Sequence, residues 1–169
     1  MQGATCVAHL MGWCHTFVMH LSLHTDYGLR VLMLLAAADR LMSVDEIARS
    51  YGISHNHLAK VAQRLQALGH IETVRGRSGG LRLAVRPEDL KVGTVVRQME
   101  NIDNFVECLA ASGNTCRAVG ACGLQGALSL ALQDFLQRLD GYTLADVLPK
   151  KDLFLARVGL GQQAAGNDR

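Results

Sequence analysis

No stretch of this chain is long and apolar enough to cross a bilayer. The longest unbroken apolar run is Val31–Ala38, far short of the roughly 18–20 residues a spanning helix needs. Cysteine is sparse and odd in number, five in 169 residues, so full pairing is impossible and a disulfide-stapled scaffold is excluded. Net charge is almost absent at +2, so the total does not announce a polyanion partner. The first eighteen residues contain no Lys, Arg, Asp or Glu, and so lack the basic start of a secretory signal. Residues 1–18 read as a non-native or disordered leader, with Met19 as the working start. Cys6 and Cys14 in that leader, flanked by His9 and His15, are a conceivable metal pair, against which stands the lack of a structured frame around them. What is present is enough apolar material for a core, 49% of residues against 19% charged, which excludes a disordered chain. The expectation is a cytoplasmic protein with unpaired thiols and no membrane partner.

The near-zero charge is a sum of unlike parts. Arg49 to Arg86 holds seven basic residues and one acid, Glu72, a local +6, and the remaining 10 basic and 14 acidic residues leave −4. Such a concentration is the electrostatic footprint of a polyanion-binding surface, although a solvated basic face that binds nothing has the same composition.

Local patterns give that segment a shape. Thr25 can cap a helix through Ala38, with Asp26 in its electropositive first turn. Its interior is apolar all round, so it must be buried on more than one side, and a second subunit is one way to do this. Ser43-Val44-Asp45-Glu46 is a capping box opening a short helix to about Tyr51, which Gly52 ends. Ser54 caps a third helix whose core stripe is Leu58, Val61, Ala62, Leu65 and Leu68, with Gly69 as its stop. Asn56, Lys60 and Gln63 point away from that stripe, and His57 and Arg64 lie on its flank. Two short helices joined by a tight turn make a helix-turn-helix. Ile71–Arg75 and Leu81–Ala84 then read as a hairpin around Gly76-Arg77-Ser78-Gly79-Gly80. The fold class expected is therefore mainly α, a winged helix-turn-helix with a two-stranded β wing, over 19–100.

In a helix-turn-helix the N-terminal residues of the second helix meet base edges in the major groove. Those are Ser54, His55, Asn56, His57 and Lys60, with Gln63 and Arg64 further along. Asn suits adenine, while Lys and Arg suit guanine or phosphate. Arg75, Arg77 and Ser78 on the wing are candidates for phosphate or minor-groove contact. A winged helix that makes protein contacts is the competing reading, and the +6 balance favours double-stranded DNA.

Beyond Pro87 a fourth helix is expected over about Lys91–Glu100. A loop rich in Gly, Ser and Asn follows, carrying Cys108, Cys116 and Cys122. A long helix from Gly123 to Leu139 places Leu128, Leu132, Phe135 and Leu139 at seam spacing, as in a helix pair. Tyr142–Leu148 suggests a short further turn of helix. Residues 101–148 thus form a cysteine loop and pairing helix, and 149–169 read as a flexible tail. The three cysteines do not lie on an apolar stripe, which weakens a packing role. Soft thiolates on a loop suit zinc or an iron–sulfur cluster, and their gaps are wider than the two to four residues typical of structural zinc. Three thiolates leave a fourth ligand to come from elsewhere. Free or redox-active thiols remain an alternative. Catalysis by a reactive cysteine is disfavoured, since no His and acid accompany any of the three.

Five motifs in one order carry a resemblance. They are Asp26-Tyr27-Gly28-Leu29-Arg30, Ser54-His55-Asn56-His57-Leu58, Val74 to Leu83, the three cysteines, and Tyr142-Thr143-Leu144-Ala145-Asp146. Together they resemble the nitric-oxide-sensitive repressors of the Rrf-type winged helix-turn-helix family, over about Met19 to Leu148. The resemblance implies a homodimer joined through the long helix. It also implies one iron–sulfur cluster per subunit, 2Fe–2S or 4Fe–4S, held by Cys108, Cys116 and Cys122, with the partner subunit's Asp26 as a candidate fourth ligand. Nitric oxide would be the signal, and nitrosylation or loss of the cluster would lift repression of nitrosative-stress genes. The iron–sulfur-homeostasis branch of the same family matches less well. It carries a ligand histidine three residues after its last cysteine, where this sequence has Gln125.

Overall fold

The computed structural model describes residues 21–76, 79–102, 105–110 and 112–161. The leader with Cys6 and Cys14, the wing residues Arg77 and Ser78, and the last eight residues lie outside the described residues.

Helix α1, Leu23–Ala38, is the centre of the core. Val31, Leu32 and Leu34 are fully buried, and Thr25, Gly28, Leu35, Ala36 and Ala37 are buried with them. A helix apolar on several sides needs several neighbours, and this one finds them within its own chain, in helices α3, α4 and α6 and strand β2 described below. Its N-cap is Ser22 rather than Thr25. The Ser22 hydroxyl accepts from the Thr25 N–H, and Thr25 lies buried inside the first turn. Asp26 does occupy that turn.

Helices α2, Val44–Tyr51, and α3, His55–Ala67, form the expected helix-turn-helix. Ser43 caps α2 by accepting from the Glu46 N–H, and Ser54 caps α3 by accepting from the His57 N–H. Between them Gly52 takes φ 64°, a left-handed conformation that costs glycine least. Leu58, Val61, Ala62 and Leu65 are buried as their spacing predicts, and Leu68 is half-buried.

Strands β1, Ile71–Val74, and β2, Gly80–Leu83, pair antiparallel with Ile71 opposite Leu83 and Val74 opposite Gly80. Both strands sit one residue earlier at their far ends than the sequence pattern suggests. Met42 adds a one-residue bridge to β2, with Met42 N–H donating to Leu81 O at 3.1 Å and Leu81 N–H to Met42 O at 2.8 Å. A Cβ at Gly80 would fall 2.8 Å from Met42 O and 2.9 Å from Met42 C, both backbone atoms. Gly80→Ala is therefore expected to lose about 1–3 kcal/mol, the usual range for overpacking. Urea unfolding would measure it, and an unchanged midpoint would mean that the wing root is free to shift.

Helix α4 spans Val92–Met99, and the long helix α5 spans Gly123–Asp140, packed on α4. Tyr142–Leu148 forms turns, not a helix, anchored by Val92 N–H to Tyr142 O and Leu144 N–H to Leu90 O. The expectation of a flexible tail over 149–169 is corrected in its first part. Lys151–Arg157 forms helix α6, which packs on α1 through the half-buried Phe154 and Leu155. No helix among the described residues is long and apolar enough to cross a membrane.

Candidate nucleic-acid interface and cysteine loop

One face of α3 is free of the core. His55, Asn56, His57, Lys60 and Gln63 are all exposed there. His55 Nε2 lies 3.6 Å from Asp45 Oδ1 of α2, a pairing that is ionic only when the imidazole is protonated. Ser54 is exposed, but its hydroxyl is occupied in capping α3. Arg64 is exposed but turned towards the protein, donating from Nη2 to the Gln98 carbonyl of α4 at 2.8 Å. The local charge is also partly neutralised. Arg82 pairs with Glu72 directly across the hairpin, and Arg86 pairs with Asp89. Lys60 and Arg75 are exposed with no ion pair among the described residues. The exposed basic groups described in this stretch and left outside these pairings are thus fewer than composition suggests, and they are Arg49 on α2, Lys60 on α3 and Arg75 at the end of β1.

A residue that the pattern did not single out sets the wing against α3. The Thr73 hydroxyl of β1 donates to Gln66 Oε1 of α3 at 2.8 Å. Gln66 lies three residues beyond Gln63, so its place on the exposed face was readable. Its partner was not.

The cysteine loop joins α4 to α5. Cys108 is half-buried within a 3-10 turn over Glu107–Leu109, whereas Cys116 and Cys122 are exposed, and all three thiols are free. Hydrogen bonds staple the three cysteine-bearing segments to one another. Glu107 Oε1 accepts from the Thr115 N–H at 2.7 Å and from its hydroxyl at 2.6 Å, joining the neighbours of Cys108 and Cys116. These bonds hold the Glu107 carboxyl below its ordinary pKa. Asn114 Oδ1 accepts from the Cys116 N–H at 2.9 Å. Gln125 of α5 donates from Nε2 to the Cys108 carbonyl at 2.7 Å, and Cys122 is the N-cap residue of the same helix. The donor set, three free thiols on one loop, fits an iron–sulfur group in chemistry. No group of three His, Cys, Asp or Glu side chains converges to hold a metal ion among the described residues.

Asp26 sits apart from the cysteines in sequence and has a partner of its own, Arg30 Nη2 at 2.7 Å one turn along α1. The Arg30 guanidinium lies over the Tyr27 and Tyr51 rings at 5.8 and 5.9 Å. The Tyr51 hydroxyl donates to Arg30 O, and burial pushes its pKa up to about 12.

Helix α5 presents an apolar face that no other element among the described residues covers. Leu124 (61% exposed), Leu130 (62%) and Phe135 (45%) stand outward beside Ala127 and Ala131. Of the predicted seam, only Phe135 belongs to this face. Leu128, Leu132 and Leu139 are half-buried, and Leu136 is buried. The four-three-four spacing found an apolar stripe correctly but mixed the side that packs on α4 with the side that faces outward.

Comparison with known proteins gives three concordant findings. The Rrf2 family, described as iron-dependent transcriptional regulators, matches residues 21–150. The "HTH-type transcriptional regulator NsrR" of Bacillus subtilis strain 168 is 48% identical over 136 residues, covering 79% of this chain and 93% of that protein. The protein of the same name from Geobacillus kaustophilus is 48% identical over 132 residues, covering 77% and 90%. Among solved structures, T. potens IscR superposes with a TM-score of 0.60 at 26% identity, covering 77% of this chain and 86% of that one.

Proposed function

The chain belongs to the Rrf2 family of transcriptional regulators, and from that premise we propose that it is a homodimeric cytoplasmic repressor that senses nitric oxide through an iron–sulfur cluster. The observation that carries the reading is the loop itself. Three free thiols lie outside the core, stapled together between the winged helix and the long helix. Cys108, Cys116 and Cys122 would hold one cluster per subunit, with the partner subunit's Asp26 as the candidate fourth ligand. When bound, the cluster supplies iron for nitric oxide to attack.

The chain's own residues do the rest. Helix α3 enters the major groove, where Asn56 suits adenine and Lys60 suits guanine or phosphate, with His55, His57 and Gln63 beside them. Arg75, Arg77 and Ser78 follow the backbone from the wing. Gln66 holds the wing at a set angle to α3 through Thr73. Apolar faces of two α5 helices pair, so that two α3 helices reach successive half-sites of operator DNA. Gln125 favours the nitric-oxide branch over the iron–sulfur-homeostasis branch, since its side chain holds the Cys108 carbonyl instead of offering an imidazole.

Anaerobic operator titration of the cluster-loaded protein tests the proposal. Affinity is expected to fall roughly 10-fold or more on addition of nitric oxide, within the 5–150-fold range of ordinary site coupling. Unchanged affinity in a brown, iron-loaded sample would sink it, and a colourless zinc-loaded sample would point to an interaction module instead.

A further inference from the structure

The last turn of α4 touches more of the molecule than any four residues beside it need to. Arg97 forms a bidentate pair with Asp140 at the end of α5, at 2.6 and 2.5 Å. The Gln98 carbonyl accepts from Arg64 of α3 at 2.8 Å, and its side-chain oxygen bonds the buried His70 at the α3–β1 joint at 2.6 Å. Met99 is buried and packs its terminal methyl against Gly28 of α1, where no Cβ intervenes. Glu100 receives three hydrogen bonds from the first turn of α1: Ser22 N–H at 2.5 Å, the Ser22 hydroxyl at 2.6 Å and the Thr25 hydroxyl at 2.8 Å. Four consecutive residues thus grip the long helix, the recognition helix and the helix that carries Asp26. The next residue, Asn101, begins the segment that carries the cysteines.

We propose that Arg97–Glu100 is the relay that couples the cysteine loop to DNA binding, with Glu100 as its principal positioning residue. The proposal rests on the reading of the loop as the sensor. A carboxylate at the N-terminus of a helix is held by both dipole and hydrogen bonds. Glu100 is therefore bound to α1 and cannot be displaced by loop movement without disturbing the turn around Ser22 and Thr25. The same turn of α4 holds Arg64 and His70, so a shift at Glu100 reaches α3 and the wing root through Gln98. A rigid turn gripping three elements transmits small displacements because packed cores do not deform continuously.

The test compares operator affinities of cluster-loaded and cluster-free protein under anaerobic conditions, in the parent and in Glu100→Gln. In the parent the ratio is expected to be at least about fivefold. In the variant, with loading verified by absorbance and native mass, the ratio should fall to within about twofold of one, while cluster-free affinity stays at the parent value. Amide hydrogen exchange over residues 22–26 gives a second readout. Loading should slow it in the parent and leave it unchanged in the variant. A purely structural Glu100 would weaken both states alike and keep the ratio, and that result overturns the relay. If Glu100→Gln does not fold or load, Gln98→Ala decides in the same way, because it removes only the link to His70. A parent ratio of one would fail the sensor reading and the relay with it. A parent ratio above fivefold that survives in the variants would fail the relay alone.

Discussion

Replacing Cys116 with alanine is expected to abolish the visible iron–sulfur absorbance and the nitric-oxide response together, while the melting temperature stays within about 2 °C of the cluster-free parent. The first half follows from ligand count. In the proposed cluster three thiolates would leave one coordination position to a weaker ligand, and two would not retain it through purification. The second half follows from position. Cys116 is exposed and outside the core, and surface substitutions usually change stability by less than about 0.5 kcal/mol, which for a chain of this size is about 1–2 °C. Cys108, half-buried beside Glu107 and tied to Gln125, and Cys122 at the α5 N-cap are less clean probes. Anaerobic absorbance, iron content and calorimetry on one preparation check both halves. A Cys116→Ala protein that stays brown would remove this thiol from the ligand set.

The double substitution Leu130→Asp, Phe135→Asp is expected to convert a dimer into monomers and to lower operator affinity roughly 10²–10⁴-fold, the advantage that linking two binding modules provides. Both side chains stand outward from α5, at 62% and 45% exposure in the single chain. In the proposed dimer they would be buried against a second copy, and two carboxylates in such a seam would be buried without partners. The adjoining face of α5, built on Leu136 and the half-buried Leu128 and Leu132, keeps the helix on α4. Helix content by circular dichroism should therefore persist. Sedimentation and operator titration decide the matter, and a dimer with parent affinity would move the interface off α5.

Much of the winged helix was legible because its signals are local. Ser43 and Ser54 cap, Gly52 turns, and the apolar spacing of α3 marks its buried side, all within a few residues of chain. The errors arose where a distant element intervened. Thr25 looks like a cap until Glu100, 75 residues away, binds its hydroxyl and leaves the capping position to Ser22. The bond from Arg64 to the Gln98 carbonyl of α4 was equally invisible, because its partner is 34 residues away. Residues 149–169 look like a tail because a seven-residue helix has too few turns to show a period, and α6 is held by packing on α1.

The sequence by itself determined the helix-turn-helix, the wing, the choice of three cysteines in one loop and the place of a long apolar helix after them. Each depends on residue types at short spacing, which chain chemistry dictates before any tertiary contact forms. Only the tertiary structure decided which side of α5 faces outward, which arginines turn inward, and that one turn of α4 holds three other helices at once. Those outcomes depend on which surfaces meet, and pairings such as Glu100 with Ser22, 78 residues apart, leave no periodic trace in the chain that makes them.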